Sequence, residues 1–279
     1  MRMKAVGFRV GLTGFVTACA VSSLPTTHAA ADATDIVPHR AGYELRLDKA
    51  RSGSGVVDVT GVLSYDWADS CDGWIIEQRY VMQVIRGDGS PVQISASYAN
   101  WESKDGLRYR FYVKRSTAGA EAEEDGEVEG KATLERVGGP GVATFQKPGK
   151  KTIKLPAGTS FPTAHTLDLM RKAQAGEKFD RRPVFDGAEV KGPSTMSAFI
   201  LPQRPVPPGG KPDVLSAASP VWPVSIAVFP QEGKAAMPEF EMSIYLQKNG
   251  VVPELTMNYG DFTVRGRLKL FEPLKKAKC

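Results

Sequence analysis

The sequence predicts a mainly β protein, built as an antiparallel, highly curved sheet or incomplete barrel around one main α-helix. Three observations point there. Apolar and polar residues alternate with a period of two along most of the chain from His39 onward. One stretch alone, Phe161 to Gly176, carries a helical pattern. Two cysteines, Cys71 and Cys279, remain once an N-terminal leader is set aside.

Residues 1–31 have the make-up of a secretory signal peptide. Arg2, Lys4 and Arg9 precede an apolar run from Val10 to Leu24, and Thr27-His28-Ala29-Ala30-Ala31 offers small residues for cleavage. The run falls short of the roughly 20 apolar residues of a membrane span, and no later segment approaches that length. A rival route reads Val16-Thr17-Ala18-Cys19 as a lipobox with Cys19 lipidated; the short apolar stretch before it and the unused alanine-rich site argue against this. Either route removes Cys19 from the cysteine count. The even pair left in an oxidising compartment favours a Cys71–Cys279 disulfide over a metal site or a free thiol. The leader holds three Lys or Arg and no acid, so the formal charge of +5 falls to 5 − 3 = +2 without it. With no basic aromatic motif and no cationic stripe, nucleic-acid binding has no support. Residues 32–279, with no fixed-period repeat, read as one domain.

In chain order, Tyr43, Leu45 and Leu47 alternate with Glu44, Arg46 and Asp48 as a half-buried first strand. Arg51-Ser52-Gly53-Ser54-Gly55 is a turn; it lacks the Lys-Ser or Lys-Thr ending of a phosphate loop. A second strand runs from Val57 to Tyr65, and Trp67-Ala68-Asp69-Ser70-Cys71-Asp72-Gly73-Trp74 follows it. Trp74 to Ile85 and Val92 to Trp101 form a hairpin about Gly87-Asp88-Gly89-Ser90-Pro91. Then Leu107, Tyr109, Phe111 and Val113 face one way while Arg108, Arg110, Tyr112 and Lys114 face water. The acidic run Glu121 to Glu129 lacks the ligand spacing of a calcium loop and reads as a solvated hairpin tip. Short strands follow near Ala132 to Val137 and Val142 to Gln146.

The helix opens at Phe161-Pro162, where proline suits a first turn, and closes near Gly176 with Arg171 and Lys172 in its last turns. Its apolar arc of Leu167, Leu169, Met170 and Ala173 must bury against the sheet, as a plug would. Phe179 to Phe185 and Thr195 to Leu201 are further strands, and Pro202 to Pro220 is a proline-rich connector or lid. The β pattern resumes over Trp222 to Phe229, Met242 to Leu246, Leu255 to Tyr259 and Phe262 to Leu270. Lys248-Asn249-Gly250 is a hairpin turn.

Chemistry-bearing residues are sparse. His28 leaves with the leader, so His39 and His165 are the remaining candidate bases. His165 and Asp168, three apart on the helix, have the spacing of an oriented imidazole, with Ser160 or Ser194 as nucleophile. Neither serine sits in a Gly-x-Ser-x-Gly elbow. Two distant histidines without clustered carboxylates make no metal site. Catalytic residues, metal and cofactor are therefore expected to be absent. The alternative is an apolar ligand held by the inner face, with Trp67, Trp74, Trp101, Trp222, Phe111, Tyr112, Phe229 and Tyr245 supplying the area.

Short stretches along the chain resemble one family. His39-Arg40-Ala41-x-Tyr43, Ser70-Cys71-Asp72-Gly73-Trp74, Phe161-Pro162-Thr163-x-His165, Phe185-Asp186-Gly187, Tyr259-Gly260-Asp261-Phe262 and a terminal cysteine look like the EipB family of cell-envelope integrity proteins. That family was formerly a domain of unknown function in alphaproteobacteria. The resemblance implies a periplasmic β-spiral closed by Cys71–Cys279, similar in fold to lipoprotein carriers and envelope-stress sensors. It also implies a role in envelope integrity, with links to lipoprotein or periplasmic assembly partners, and it carries over no catalytic residue. The expected function is non-enzymatic periplasmic support of the envelope, by binding an apolar ligand such as a lipid or lipopeptide, or an envelope protein partner. Two alternatives stand beside it: a hydrolase using His165 with Asp168, and a scaffold binding partners through exposed strand edges.

Overall fold

Fourteen strands and one helix occupy the residues described by the computed structural model, 36–119, 122–206, 220–230 and 237–279. The leader read over residues 1–31, Cys19 included, lies outside them, as do 207–219 of the proline-rich loop. The first strands are β1 (His39–Ala50), β2 (Val56–Asp69), β3 (Gly73–Arg86), β4 (Pro91–Ser103), β5 (Arg108–Gly119), β6 (Ala122–Leu134), β7 (Gly141–Lys147) and β8 (Lys151–Leu155). Helix α1 (Pro162–Gln174) follows, then β9 (Phe179–Val184), β10 (Ser194–Ile200), β11 (Val221–Phe229), β12 (Phe240–Gln247), β13 (Glu254–Asn258) and β14 (Phe262–Pro273).

The strands form one sheet in the order β8-β7-β6-β5-β4-β3-β2-β1-β14-β13-β12-β11-β10-β9, with antiparallel neighbours throughout. Consecutive strands pair as hairpins, which needs only local turns. The exception is the long-range pairing of β1 with β14 at the sheet centre, His39 opposite Pro273 and Ala50 opposite Phe262. The ends of the sheet, β8 and β9, are therefore neighbours in sequence, and the segment between them carries α1. Apart from the isolated parallel bridge Ser160–Val184, no strand pairing joins the two ends among the described residues. This is the open, curved barrel that the alternation predicts, with the helix at its seam.

Two expectations need correction. Strand β8 was not foreseen, and the part of the acidic run from Glu123 to Glu129 belongs to β6 and pairs as a strand, Glu121 lying outside the described residues: Glu127 stands opposite Lys114 of β5 in the register. Lys147 Nζ of β7 lies 2.7 Å from Glu127 and 3.1 Å from Glu129. Cross-strand cations neutralise the run and let it pair.

Helix α1 buries Leu169, Met170 and Ala173 against Trp67, Ala198, Ile200 and Trp222. Gly176 ends it at φ +76°, a backbone region that glycine enters without strain. Close by, Tyr109 stacks on Phe161 at 5.1 Å, and Phe111 meets Phe185 edge-on at 5.5 Å. Gly187 explains the Phe185-Asp186-Gly187 stretch: at φ +68° a Cβ there would overlap the Phe111 ring. Gly187→Ala should therefore cost roughly 1–3 kcal/mol in urea unfolding by overpacking. An unchanged midpoint would show that the ring moves aside freely.

Candidate functional site

Period-two alternation sends every second side chain of β1 to β5 to the concave face, and the registers align these in rungs. One rung runs Tyr43, Leu63, Tyr80, Ala96, Arg115; another runs His39, Trp67, Ile76, Asn100, Phe111. From the opposite half, Met242, Ile244, Leu255, Met257 and Tyr259 face them. Between the halves lies a cavity of about 1330 Å³, larger than the roughly 300–1,000 Å³ of small-molecule pockets. A second groove of about 600 Å³ beside Trp101 lies on the outer face among Arg110, Glu129 and Lys131 and is bounded by one side of the sheet only.

The cavity wall is uncharged over most of its area. Burial pushes the phenols of Tyr43, Tyr65 and Tyr259 well above their ordinary range and Tyr80 up to about 12. Tyr43 donates its hydroxyl to Val252 O at 2.9 Å. Burial also lowers the His39 pKa, against the opposing effects of Val37 O and Asp66, so the ring is neutral at pH 7. Three buried polar atoms of residues lining the cavity have no hydrogen-bond partner among the described residues: Trp67 Nε1, in a side chain 2% exposed, Asn100 Oδ1 and His165 Nε2. Unpaired buried polar atoms cost stability and are met when a ligand or water fills the space.

Helix α1 is fixed to this wall by Glu102, a carboxylate 1% exposed near the end of β4. Thr163 N–H donates to its Oε2 and Ala164 N–H to its Oε1, both at 2.7 Å. Phe161, the N-cap residue, contributes no side-chain cap, so Glu102 supplies from 61 residues away what a local serine or aspartate ordinarily would. Burial nevertheless pushes the Glu102 pKa up to about 7, against the pull of the two N–H donors.

The expected His165–Asp168 pair is not formed. His165 points into the interior, and its Nε2 lies 3.4 Å from Asp180 Oδ2 of β9. Asp168, one turn on along the helix, binds Arg171 at 2.7 Å and also Arg182. Burial raises the Asp180 pKa, but His165 and Arg182 outweigh it and hold the carboxyl well below the usual range. Asp180 thus sits in a helix-to-strand ion network with Lys172 and Arg182, beside the His165 ring. Ser160 Oγ is 3.4 Å from Phe161 O, and Ser194 lines the cavity. The hydrolase reading loses the pair it rested on.

Of the aromatics named from the sequence, Trp67 lines the cavity, with Trp74 edge-on at 6.0 Å behind it. Trp222 and Phe111 are buried core. Trp101, Tyr112 and Tyr245 take the outer face, each beneath a cation: Arg108 and Arg110, Lys147, and Arg204. Alternation decides this, since Trp101 is one residue out of phase with Asn100. Cys71 and Cys279 are joined, with Cα atoms 5.8 Å apart across a separation of 208 residues.

The EipB-like family profile matches residues 30–275. The chain belongs to the EipB-like family. A relative named cell envelope integrity protein EipB, from Brucella abortus (strain 2308), is 35% identical over 243 residues, covering 86% of this chain and 85% of its own. A crystal structure of a beta-barrel-like protein of domain of unknown function DUF1849, also from Brucella abortus, is similar with a TM-score of 0.76 at 32% identity. It covers 86% of this chain and 99% of its own. In this EipB-like chain the sequence reading missed Glu102 and Arg115. No local pattern marks Glu102, whose partners are remote. Arg115 had a signal, because the run Leu107, Tyr109, Phe111, Val113 continues onto it.

Proposed function

We propose that this chain acts in the periplasm as a non-enzymatic protein that binds an elongated apolar ligand, a lipid or lipopeptide, and so supports cell-envelope integrity. The carrying observation is the cavity of about 1330 Å³ between the two halves of the sheet, walled by aliphatic and aromatic side chains. The match to a relative named for envelope integrity supports the role, and the disulfide suits an oxidising compartment. In this reading residues 1–31 are a cleaved leader and 32–279 the functional domain. On the same reading the ligand enters without chemistry being done on it; the His165 ring faces Asp180 of β9 and not Asp168.

Native mass spectrometry of the protein released from its own periplasm tests this. The expected result is a co-purifying lipid or lipopeptide that leaves on organic extraction. A ligand-free spectrum, together with no uptake of an apolar fluorescent probe, would remove the reading. A second reading has support in the open sheet, because β8 ends it with no strand beyond among the described residues. An envelope partner would add a strand there. Cysteines placed on β8 should then cross-link to that partner in cells.

A further inference from the structure

The ligand's polar end can be specified from one residue on the concave face, an inference that rests on the apolar-ligand reading. Arg115 occupies the same rung as Tyr43, Leu63, Tyr80 and Ala96, so its guanidinium enters the cavity, and it is the one Arg, Lys, Asp or Glu among the cavity-lining residues of β1 to β5. The small Ala96 beside it leaves room above the sheet. The phenols of Tyr80 and Tyr98 lie next to the guanidinium and also line the cavity.

The acids nearby leave Arg115 without a close counter-ion. Glu189 Oε1 is 4.0 Å away, at the outer limit of an ion pair, and Glu189 is bound to Lys191 at 2.7 Å. Asp186 is engaged by the Ala188 N–H at 2.9 Å, and burial raises its pKa. Glu239 lies near Lys191 at the same end. Lys151 donates to Val190 O at 3.3 Å. Each other charged group at this end thus has a partner of its own or faces Lys191. Beyond the Tyr98 phenol the Arg115 guanidinium has only the long ionic contact to Glu189, and with its side chain 39% exposed its donors remain open to an anionic partner.

We propose that the cavity takes an amphiphile with an anionic head, a carboxylate or phosphate, seated on Arg115 with Tyr80 and Tyr98, its acyl chain lying along the Leu63, Ile244 and Met257 walls. Arginine suits this because its planar fork pairs bidentately with either oxyanion. The half-exposed guanidinium stands at the cavity's edge, so the head stays near water while the chain is buried.

The test uses the whole protein with the neutral apolar dye N-phenyl-1-naphthylamine, displaced by laurate, dodecyl phosphate, dodecanol or dodecylammonium. The expected result is that the dye binds and that one or both anionic amphiphiles displace it at least tenfold more effectively than dodecanol, the gain of one charge-assisted contact. Arg115→Gln should bind the dye as before and erase that preference, and Arg115→Lys should keep part of it. Laurate and dodecyl phosphate compared with each other separate a fatty-acid head from a phospholipid-type head. Dodecanol matching both anions, dodecylammonium binding tightest, inorganic phosphate alone displacing the dye, or a preference that survives Arg115→Gln would each overturn the head-group assignment while the apolar-ligand reading stands. Failure of the dye and of every amphiphile to bind would overturn both.

Discussion

Reduction of the Cys71–Cys279 bridge is expected to lower the melting temperature by on the order of 10 °C. The bridge closes a loop of 208 residues, for which chain entropy in the unfolded state gives about 5 kcal/mol as an upper figure. At about 2–4 °C per kcal/mol for a domain of this size, even half of that is plainly measurable. The geometry says where the loss falls. Beyond β14 the tail makes a bond from Leu274 N–H to Pro38 O at 2.7 Å and then runs to Cys279 without regular structure. The bridge clips it to the turn between β2 and β3. Cys71 has φ 63° there, and its N–H donates to Asp69 Oδ1 at 3.1 Å; Lys104 stands 2.7 Å from that same carboxylate oxygen. Cys71→Ser and Cys279→Ser should behave alike and should not add, since each removes the same link. Steady-state abundance in cells should fall with them. Equal melting temperatures with and without reductant would refute a stabilising bridge.

Glu102→Ala carries the other large expected effect. It strips the acceptor from two backbone donors, Thr163 and Ala164 N–H, and frees the start of α1 from β4. Each unsatisfied buried donor costs about 1–3 kcal/mol, so a loss of about 3 kcal/mol or more is expected at pH 5. The sign of the pH dependence follows from the raised pKa. With the carboxyl at about 7 when folded and near 4.3 when unfolded, the folded state binds more protons between those values. Stability from this group is therefore fully present at the low end of the window and is lost as pH rises through it. The cost of Glu102→Ala should accordingly be larger at pH 5 than at pH 8. His39, with its lowered pKa, acts in the opposite direction below about 6.5, so the difference between wild type and variant, and not the wild-type curve, isolates Glu102. Urea unfolding of both proteins at the two pH values measures it. A cost that grows with pH would mean that the carboxylate is held charged by the helix N-terminus.

Much of the fold was legible because a strand's two faces are written residue by residue. Tyr43, Leu45, Phe111 and Met257 were assigned to the interior by alternation alone, and they are buried. Helix limits were readable from Pro162 and Gly176, whose backbone restrictions are intrinsic. Where the reading failed, the deciding partner was remote. The acidic run of β6 became a strand because Lys147 lies on the next one. Asp168 left His165 for Arg182 because β9 returns beside the helix. Arg115 was overlooked because a charge is ordinarily assigned to the wet face, although the period itself placed it inside.

By itself the sequence determined the class of structure, mainly β with one helix, since that follows from local periodicity and composition. Only the tertiary structure decided that β1 meets β14 at the centre of the sheet, so that its free ends are neighbours in sequence with α1 between them. That arrangement creates the cavity, and it brings Glu102 to the helix start and Asp180 to His165. The reason is physical: alternation states which face of a strand is apolar, while the choice of neighbouring strand depends on backbone hydrogen bonds that every residue but proline can make.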